Sequence, residues 1–279
     1  MDRGLNAERG ASILKDTIAE MTFEEVAEAL GRGAIALWGC GVVEQHGPHL
    51  PTGTDIYIPS ARLRLVRRML ADQGIEALII PPFYWGVNHV SASFPASIKV
   101  RPEVMIALMV DVMKSLADDG LRVLYCTSGH NDRAHNAAIF EAVQQGTVAS
   151  ALQAAFLSEA AMIDRLGVPP DHPNVLPFHP VAPETPPEFL DIHAGEWETS
   201  IMLAMNPETV KDSVIASLAS TRLGPEDLAI WRNGHEDARR VTPLGYFGDP
   251  AAASAERGRA MLIAEAEAIV QAIAARHAG

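Results

Sequence analysis

Residues 33–55 have the sequence GAIALWGCGVVEQHGPHLPTGTD, and this stretch decides the fold class. Its first part, Gly33 to Gly39, is a short apolar run between turn residues, the pattern of a buried parallel strand. Its second part, Glu44 to Asp55, places two carboxylates and two imidazoles within a dozen residues, directly after that strand. The stretch therefore predicts a buried strand that leads into a polar cluster.

The polar part of this stretch has the composition of a metal site. Glu44 and His46 are two residues apart, so in an extended chain they project to the same side. The glycines and prolines that follow would fold the chain back, which would let Asp55 reach the same point. Oxygen and nitrogen ligands without a thiolate suit zinc, manganese or iron. The alternative interpretation is a polar turn that follows a buried strand and binds nothing.

Outward from this stretch, apolar runs and helical patterns alternate along the chain. Strands are predicted at Ile75 to Pro81 and at Leu121 to Thr127, whereas Ser150 to Leu157 fits either a strand or a helix. Helices are predicted after a capping box at 22–25 and over residues 59–73, 102–119, 133–145 and 250–277, with another ending near 205. This alternation predicts parallel strands joined by helical crossovers, with helices on both faces of the sheet. The proline-rich stretch 167–187 is interpreted as a long loop.

Composition narrows the class of protein. The chain has 279 residues, of which 48% are hydrophobic, and contains no repeat or linker that would split it. Its formal charge of −13 argues against a nucleic-acid or anionic-membrane partner, because phosphates are bound through Lys and Arg. No apolar run approaches the ~20 residues of a membrane span, and no signal peptide is apparent. With only two cysteines, Cys40 and Cys126, the chain is expected to be cytoplasmic.

Two further polar clusters lie in the second half of the chain. His130 and Asp132 follow the strand predicted at 121–127, and sites of parallel sheets form beyond the carboxyl ends of strands. Asp132 could equally be the N-cap of the helix that follows. The third cluster contains His193, Glu196 and Glu198, and its alternative interpretation is an acidic first helical turn.

Several other kinds of chemistry lack their motifs. The chain contains no G-x-G-x-x-G, no G-x-x-x-x-G-K-[ST] and no G-x-S-x-G, so dinucleotide, nucleotide and serine-hydrolase sites have no support. The aromatic stretch from Phe83 to His89 follows the second predicted strand and could line a pocket, although plain packing is an equal alternative.

The quoted motif resembles that of the creatininase family, the creatinine amidohydrolases and their relatives. The match to E-Q-H-G-P-H-L-P-x-x-T-D over 44–55 is nearly complete, and Gly129-His130, the stretch 193–200 and GYFGDP at 245–250 match in the same order. The resemblance covers roughly residues 20–275 of a single domain, 1–279. It implies a three-layer α/β/α sandwich around a mostly parallel sheet, two divalent metal ions per subunit (Zn, Mn or Fe), and a homohexamer built as a trimer of dimers.

The resemblance also assigns roles to individual residues. Glu44 and His130 would bind one metal and His46 the other, with Asp55 bridging them. The implied metal ligands are Glu44, His46, Asp55 and His130, followed by Asp132 and Glu198, either of which would complete the second site. The candidate catalytic residues are His193, Glu198 and Asp132, and the candidate substrate-binding residues are His89, Asn131 and His193.

The resulting hypothesis is a metal-dependent amidohydrolase that acts on a small molecule. A metal-activated hydroxide would attack the carbonyl of a cyclic amide or related non-peptide C–N bond, and His193 would protonate the leaving nitrogen. The proline-rich stretch contains no counterpart of the tryptophan that closes over creatinine in the family, which disfavours creatinine itself. A formamide hydrolase, a peptide-processing relative and a metal-binding sensor without turnover are the alternatives.

Overall fold

Five parallel strands form one sheet in the computed structural model, which describes residues 9–180 and 189–278. Their order in the sheet is β2-β1-β3-β4-β5, and every neighbouring pair is parallel. The strands are β1 (Ile35–Cys40), β2 (Ala77–Phe83), β3 (Val123–Ser128), β4 (Gln153–Glu159) and β5 (Val175–Phe178).

Helices cover both faces of this sheet. They are α1 (Phe23–Gly31), α2 (Thr54–Ala71), α3 (Pro102–Asp118), α4 (Arg133–Ser150), α5 (Ala160–Leu166), α6 (Glu196–Met205), α7 (Asp212–Ile215), α8 (Pro225–Trp231), α9 (His235–Val241) and α10 (Ala255–Ala278). One core contains side chains of α2, α6 and α10, and the other contains side chains of α3, α4 and α5. None of the described helices combines the length and the apolar character needed to cross a bilayer.

Strand β1 shows how the sheet separates the two cores. Ile35 and Leu37 belong to the core on the α2 side, whereas Ala36 and Trp38 belong to the core on the α3 side. Since successive side chains of a strand point to opposite faces, a continuous apolar run is what a strand buried on both faces requires. The predicted three-layer α/β/α sandwich is confirmed.

Some element boundaries differ from the prediction. Helix α2 begins at Thr54, so Pro59 lies inside it and does not start it. The ambiguous run 150–157 is the end of α4 followed by β4, because Ala151 adopts a left-handed conformation that ends the helix. Strand β5 lies within the stretch interpreted as a loop, whose residues 181–187 fall outside the described part of the chain.

The sheet order positions the site. After β1 the chain crosses to β2 on one side and then returns to β3 on the other, so the topological switch point lies between β1 and β3. Loops diverge at such a point, which leaves a crevice beyond the carboxyl ends of the two strands. The polar clusters that follow β1 and β3 therefore lie on either side of this crevice.

Candidate metal centre

Five side chains of metal-ligating types, from four separate segments, meet in this crevice. Glu44 and His46 follow β1, Asp55 lies in the first turn of α2, His130 follows β3, and Glu198 lies in the first turn of α6. None of the five is more than 8% exposed. A buried carboxylate is costly unless it is paired or bound to a metal, so this group requires positive charge.

Asp55 lies at the centre of the group and presents its two carboxylate oxygens to different partners. Its Oδ1 lies 3.1 Å from Nε2 of His46, and its Oδ2 lies 3.0 Å from Nδ1 of His130. Glu198 Oε2 lies 3.7 Å from the same nitrogen of His46, and Glu44 Oε2 lies 2.9 Å from the same nitrogen of His130. The five residues thus form two sets of three donors that share Asp55.

The donor atoms fit a cation better than they fit one another. Glu44 Oε2 and Asp55 Oδ2 are buried and have no hydrogen-bond partner among the described residues, although His130 lies within 3.0 Å of both. In both sets the ligand atoms lie within 4.8 Å of one another. Ligands on one zinc at about 2.1 Å are roughly 3–3.5 Å apart. The imidazole–carboxylate distances of 2.9 and 3.0 Å in one set and of 3.1 and 3.7 Å in the other are near this range.

The pKa shifts within the group also indicate that it favours positive charge. Burial by itself would lower the pKa of His46, but the charges of Asp55 and Glu198 raise it well above its usual value. Burial likewise opposes the charge on His130, yet Glu44 and Asp55 raise the pKa of this imidazole as well. The pKa of Asp55 is lowered, against the effect of burial, by both imidazoles. Positive charge is therefore favoured at both histidines, as protons or as metal ions in their place.

The backbone of Glu44 orients the ring of His46. Its Nδ1 lies 3.1 Å from the carbonyl oxygen of Glu44 and is placed to donate a hydrogen bond to it. This contact leaves Nε2 as the atom that faces Asp55 and Glu198. A metal-binding histidine commonly has its second nitrogen fixed in this way.

Two glycines at strand ends allow Asp55 to approach. A Cβ on Gly41, just after β1, or on Gly129, just after β3, would lie 2.1 Å from the backbone oxygen of Asp55. That oxygen also lacks the usual helical partner four residues later, because residue 59 is proline and has no N–H. The first turn of α2 thus sits directly on the two strand ends, and Asp55 lies between the polar loops.

The match to known proteins agrees with this arrangement. The family model described as creatinine amidohydrolase (Creatininase) matches residues 19–273, nearly the whole chain. The chain belongs to the creatininase family.

Two kinds of hydrolase are among its relatives. It is 27% identical to a mycofactocin precursor peptide peptidase of Mycolicibacterium smegmatis over 219 residues, which cover 78% of this chain and 75% of that protein. It is 25% identical to the creatinine amidohydrolase of Pseudomonas putida over 276 residues, 92% and 94% of the two chains.

Solved structures of the family show the same fold. A creatinine amidohydrolase (creatininase) crystal structure has a TM-score of 0.67 at 22% identity and covers 94% of this chain and 96% of its own. A creatininase named as a manganese form and a mutant creatininase of Zn-Zn type each have a TM-score of 0.66.

Beside the donor group of this creatininase-family chain lies His193. Its Nε2 lies 2.9 Å from the backbone oxygen of Gln45, and its Nδ1 lies 4.0 Å from Oε2 of Glu198. Its ring centroid is 4.3 Å from that of His46 and 6.0 Å from that of Trp231. His193 also forms a third possible ligand group with Glu44 and His46, so it is within reach of a bound cation.

Asp132 is held away from the donor group. Its Oδ2 accepts hydrogen bonds from the backbone N–H groups of His89 and Val90, and its Oδ1 caps α4 by accepting from the N–H of Ala134. Its closest approach to the group is 4.0 Å, to Nε2 of His130. These contacts fit the N-cap interpretation and place Asp132 behind a candidate ligand.

The remaining predicted residues lie in or near one cavity of about 660 Å³, which is the size of a small-molecule site. His89 and Asn131 line it together with His193. Glu196 does not line the cavity. Its carboxylate forms a salt bridge with Arg257 at 2.6 Å.

Three contributors to the site were not among the predicted site residues. Gln45 contacts Nε2 of His193 with its backbone oxygen at 2.9 Å and with its side-chain nitrogen at 3.1 Å, although it lies between two predicted ligands. Asp191 accepts hydrogen bonds from the backbone N–H groups of Glu196 and Trp197 at the start of α6, five and six residues away, outside the usual capping distance. Trp231 reaches the cavity from α8, a helix that the sequence patterns did not predict.

Proposed function

We propose that this chain is a metal-dependent amidohydrolase that binds two divalent cations. The observation that carries the proposal is the carboxylate of Asp55, whose two oxygens lie against different histidines, each accompanied by a further carboxylate. A carboxylate shared in this manner is how two-metal sites hold their ions a few ångströms apart.

In this proposal each cation has three ligands from the chain. His130 Nδ1, Glu44 Oε2 and one oxygen of Asp55 would hold the first. His46 Nε2, Glu198 Oε2 and the other oxygen of Asp55 would hold the second. Zinc, manganese and iron all accept nitrogen and carboxylate ligands. When bound, the ions would lower the pKa of a water molecule towards neutrality and polarise the amide carbonyl.

His193 would supply the proton that the leaving nitrogen needs. Its Nε2 lies 2.9 Å from the backbone oxygen of Gln45 and 3.1 Å from the side-chain nitrogen of Gln45, so this edge of the ring is occupied and Nδ1 would be the atom that exchanges a proton in the site. Nδ1 faces the Glu198 side of the donor group, where the scissile bond would lie. An imidazole is suited to this role near neutral pH.

The proposed substrate is a small molecule with a cyclic amide or another non-peptide C–N bond, and a formamide is the alternative within this chemistry. A peptide-trimming activity is the second candidate. It is supported by the mycofactocin precursor peptide peptidases among the relatives, which are 27–28% identical over 75–82% of their length, and the cavity of about 660 Å³ would accommodate a few residues.

Metal content and hydrolysis measured on the same preparation test the proposal. The chain, loaded separately with zinc, manganese and iron, would be assayed against lactams, hydantoins, creatinine, formamides and short peptides. We expect two ions per chain and turnover in one of these classes. Glu44→Ala and Asp55→Ala should lose metal and activity together, whereas Asp72→Ala, at the exposed end of α2, should lose neither.

The possible outcomes separate the hypotheses. Full metal content in the Asp55→Ala protein would remove this residue from the metal site. Two bound ions with no hydrolysis of any substrate would favour a metal-binding protein without turnover. The cytoplasmic location and the hexamer stay predictions that these assays do not address.

A further inference from the structure

Four arginines line the same cavity as the candidate metal centre, and three of them are considered together. Arg133 is the first residue of α4, Arg165 lies in the last turn of α5, and Arg232 follows α8. We refer to them as the arginine cluster. They come from three separate elements, so only the tertiary structure brings them together.

The arginine cluster has no acidic partner among the described residues. Within residues 9–180 and 189–278, no ion pair forms at any of the three guanidinium groups. The polar contact between two of these residues is Arg133 Nε donating to the backbone oxygen of Arg165 at 3.0 Å. Arg62, which also lines the cavity, is different: it is held by Glu265 at 3.0 Å and by the carbonyl of Ser128 at 2.9 Å. Among the described residues, the guanidinium groups of the cluster therefore lack the ion pair that holds Arg62 in place.

Like charges meet in this cluster. Partial burial lowers the pKa of Arg165, and the positive charges of Arg232 and Arg133 lower it further. This concentration of positive charge is local, because the whole chain has a net charge of −13. The charge of Asp132 opposes this shift without forming an ion pair. Cations placed close together without an ion-paired carboxylate attract an anion from solution.

The acidic side chains of this part of the cavity are already occupied or exposed. Asp132 accepts three backbone hydrogen bonds, and Asp191 accepts those of the first turn of α6. Glu159, at the start of α5, is exposed to solvent. Asp132 lies between the donor group and the arginine cluster. It is 4.0 Å from His130, and its negative charge raises the pKa of Arg165. The arginine cluster and the donor group thus line one cavity, with Asp132 between their charges.

We propose that the substrate of this site carries a carboxylate, which the arginine cluster binds while the scissile amide lies at the metal centre. The inference rests on the proposed amidohydrolase function and specifies its substrate class. Planar guanidinium groups suit a planar carboxylate, which they bind through paired hydrogen bonds.

The reaction consumes one water molecule and no other reactant. The C–N bond breaks, the hydroxyl of water joins the acyl carbon, and the nitrogen takes the remaining proton. At neutral pH the products are a new carboxylate and an ammonium group, and the carboxylate bound by the arginine cluster is unchanged.

Pairs of compounds that differ in one charge test the inference. Suitable pairs are 5-oxoproline with its carboxamide, N-formylglycine with N-formylglycinamide, and alanyl-alanine with its C-terminal amide. The scissile amide is the same in each pair. The ratio of kcat/KM for the acid to kcat/KM for the neutral compound therefore measures the contribution of the carboxylate. We expect this ratio to exceed about 10 for the best pair, as for a hydrogen-bonded charge.

Variants of the cluster arginines test which side chains bind the carboxylate. Arg165→Gln and Arg232→Gln should each lower the ratio about tenfold by raising KM for the acid, with little change for the neutral compound. Arg240→Gln is the matched control, because it removes the same charge from an exposed arginine that is paired with Asp237 and lies outside the cavity. Added salt should also lower the ratio in the wild type, since partly exposed charges are screened.

Two results would overturn the inference: equal kcat/KM for acid and neutral compounds in the wild type, or an equal loss for both compounds in Arg165→Gln. If nothing is hydrolysed, the proposed function fails, but calorimetric binding of the same pairs to the metal-loaded protein still tests the carboxylate. Tighter binding of the acids that is lost in Arg165→Gln and retained in Arg240→Gln would support it. No difference within the pairs would contradict it.

Discussion

Single side chains show how far chemistry can be inferred from residue types and spacing. The pair Glu44 and His46, with Asp55 nine residues further on, was sufficient to predict a metal site, and the structure places all three in one buried group. His130 joins them because it follows a neighbouring strand. Their spacing along the chain could not show that each oxygen of Asp55 would face a different histidine.

His193 is the residue whose replacement best separates binding from chemistry. In His193→Asn we expect kcat to fall by about 10²–10⁴, because a positioned proton donor contributes that much, with metal content unchanged. The loss should be smaller for substrates with a good leaving group, which needs less protonation. Metal analysis and kinetics on an amide and on its nitroanilide counterpart would measure both effects. Loss of metal would instead make His193 a ligand.

His49 predicts that the fold loses stability in acid. This residue is buried, and its Nε2 lies 2.9 Å from Thr199 Oγ1. Burial, with the positive charge of His46, lowers the pKa of His49 from 6.5 to about 4. Between these values the unfolded chain binds a proton that the folded chain does not. His49 therefore makes folding less favourable as the pH falls from 6.5 to 4, by up to about 1.4 kcal/mol per pH unit.

Denaturant unfolding at several pH values checks this expectation. The free energy of unfolding of the wild type minus that of His49→Gln should shrink as the pH falls through this window. The same difference for His277→Gln, at the exposed end of α10, should stay constant with pH. A difference for His49→Gln that did not change with pH would show that this imidazole is not held neutral.

At the scale of elements, the strand ends decide where the site can form. Apolar runs predicted β1, β2 and β3 to within two residues, because a strand buried on both faces has a simple sequence pattern. Pro59 predicts a helix start five residues later than the observed first residue of α2, Thr54, because proline is common in the first turn of a helix. What permits a proline there is the packing of α2 on the strand ends, which a local pattern does not contain.

The close contact between the end of β3 and the first turn of α2 predicts that Gly129→Ala is destabilising. The added methyl would collide with the backbone of Asp55, so the first turn of α2 must shift. We expect a loss of roughly 1–3 kcal/mol in stability, as for other overpacked sites, together with weaker metal binding. Thermal unfolding and metal titration would measure these effects.

Gly31→Ala provides the matched control for this substitution. Gly31 is the last residue of α1, and an added Cβ would meet no other atom within 4 Å. This variant should bind metal as the wild type does and be equally or slightly more stable, because glycine is less favourable than alanine in a helix. Unchanged metal affinity in Gly129→Ala would show that the strand ends do not position Asp55.

For the whole molecule, metal binding and folding should be coupled. The donor group joins segments from 44 to 198 in the chain, and it forms only when those segments are folded together. A metal present at a thousandfold excess over its Kd would stabilise the fold by about 4 kcal/mol. A chelator should thus lower Tm by several degrees and abolish hydrolysis, and re-added metal should restore both.

Asp55→Ala is the control for the chelation experiment. Its Tm should not respond to the chelator, because the shared carboxylate is missing. A chelator response equal to that of the wild type would place the stabilising metal elsewhere in the molecule.

Assembly is the second prediction for the whole molecule. The family resemblance predicts a homohexamer, a trimer of dimers, which light scattering coupled to gel filtration would report as six times the mass of one chain. Dilution should give dimers before monomers if the dimer is the building block. A monomer at micromolar concentration would contradict this prediction.

Short-range patterns in the sequence were enough to predict an α/β protein with candidate metal ligands just after its strands. Strand burial and ligand chemistry each leave a short-range pattern of residue types, as residues 33–55 show. The position of Asp55 between two histidines, and of Arg133, Arg165 and Arg232 around the same cavity, could be seen only once the chain was folded. Distances between loops depend on strand order and helix packing, which involve residues far apart in the chain and leave no local pattern.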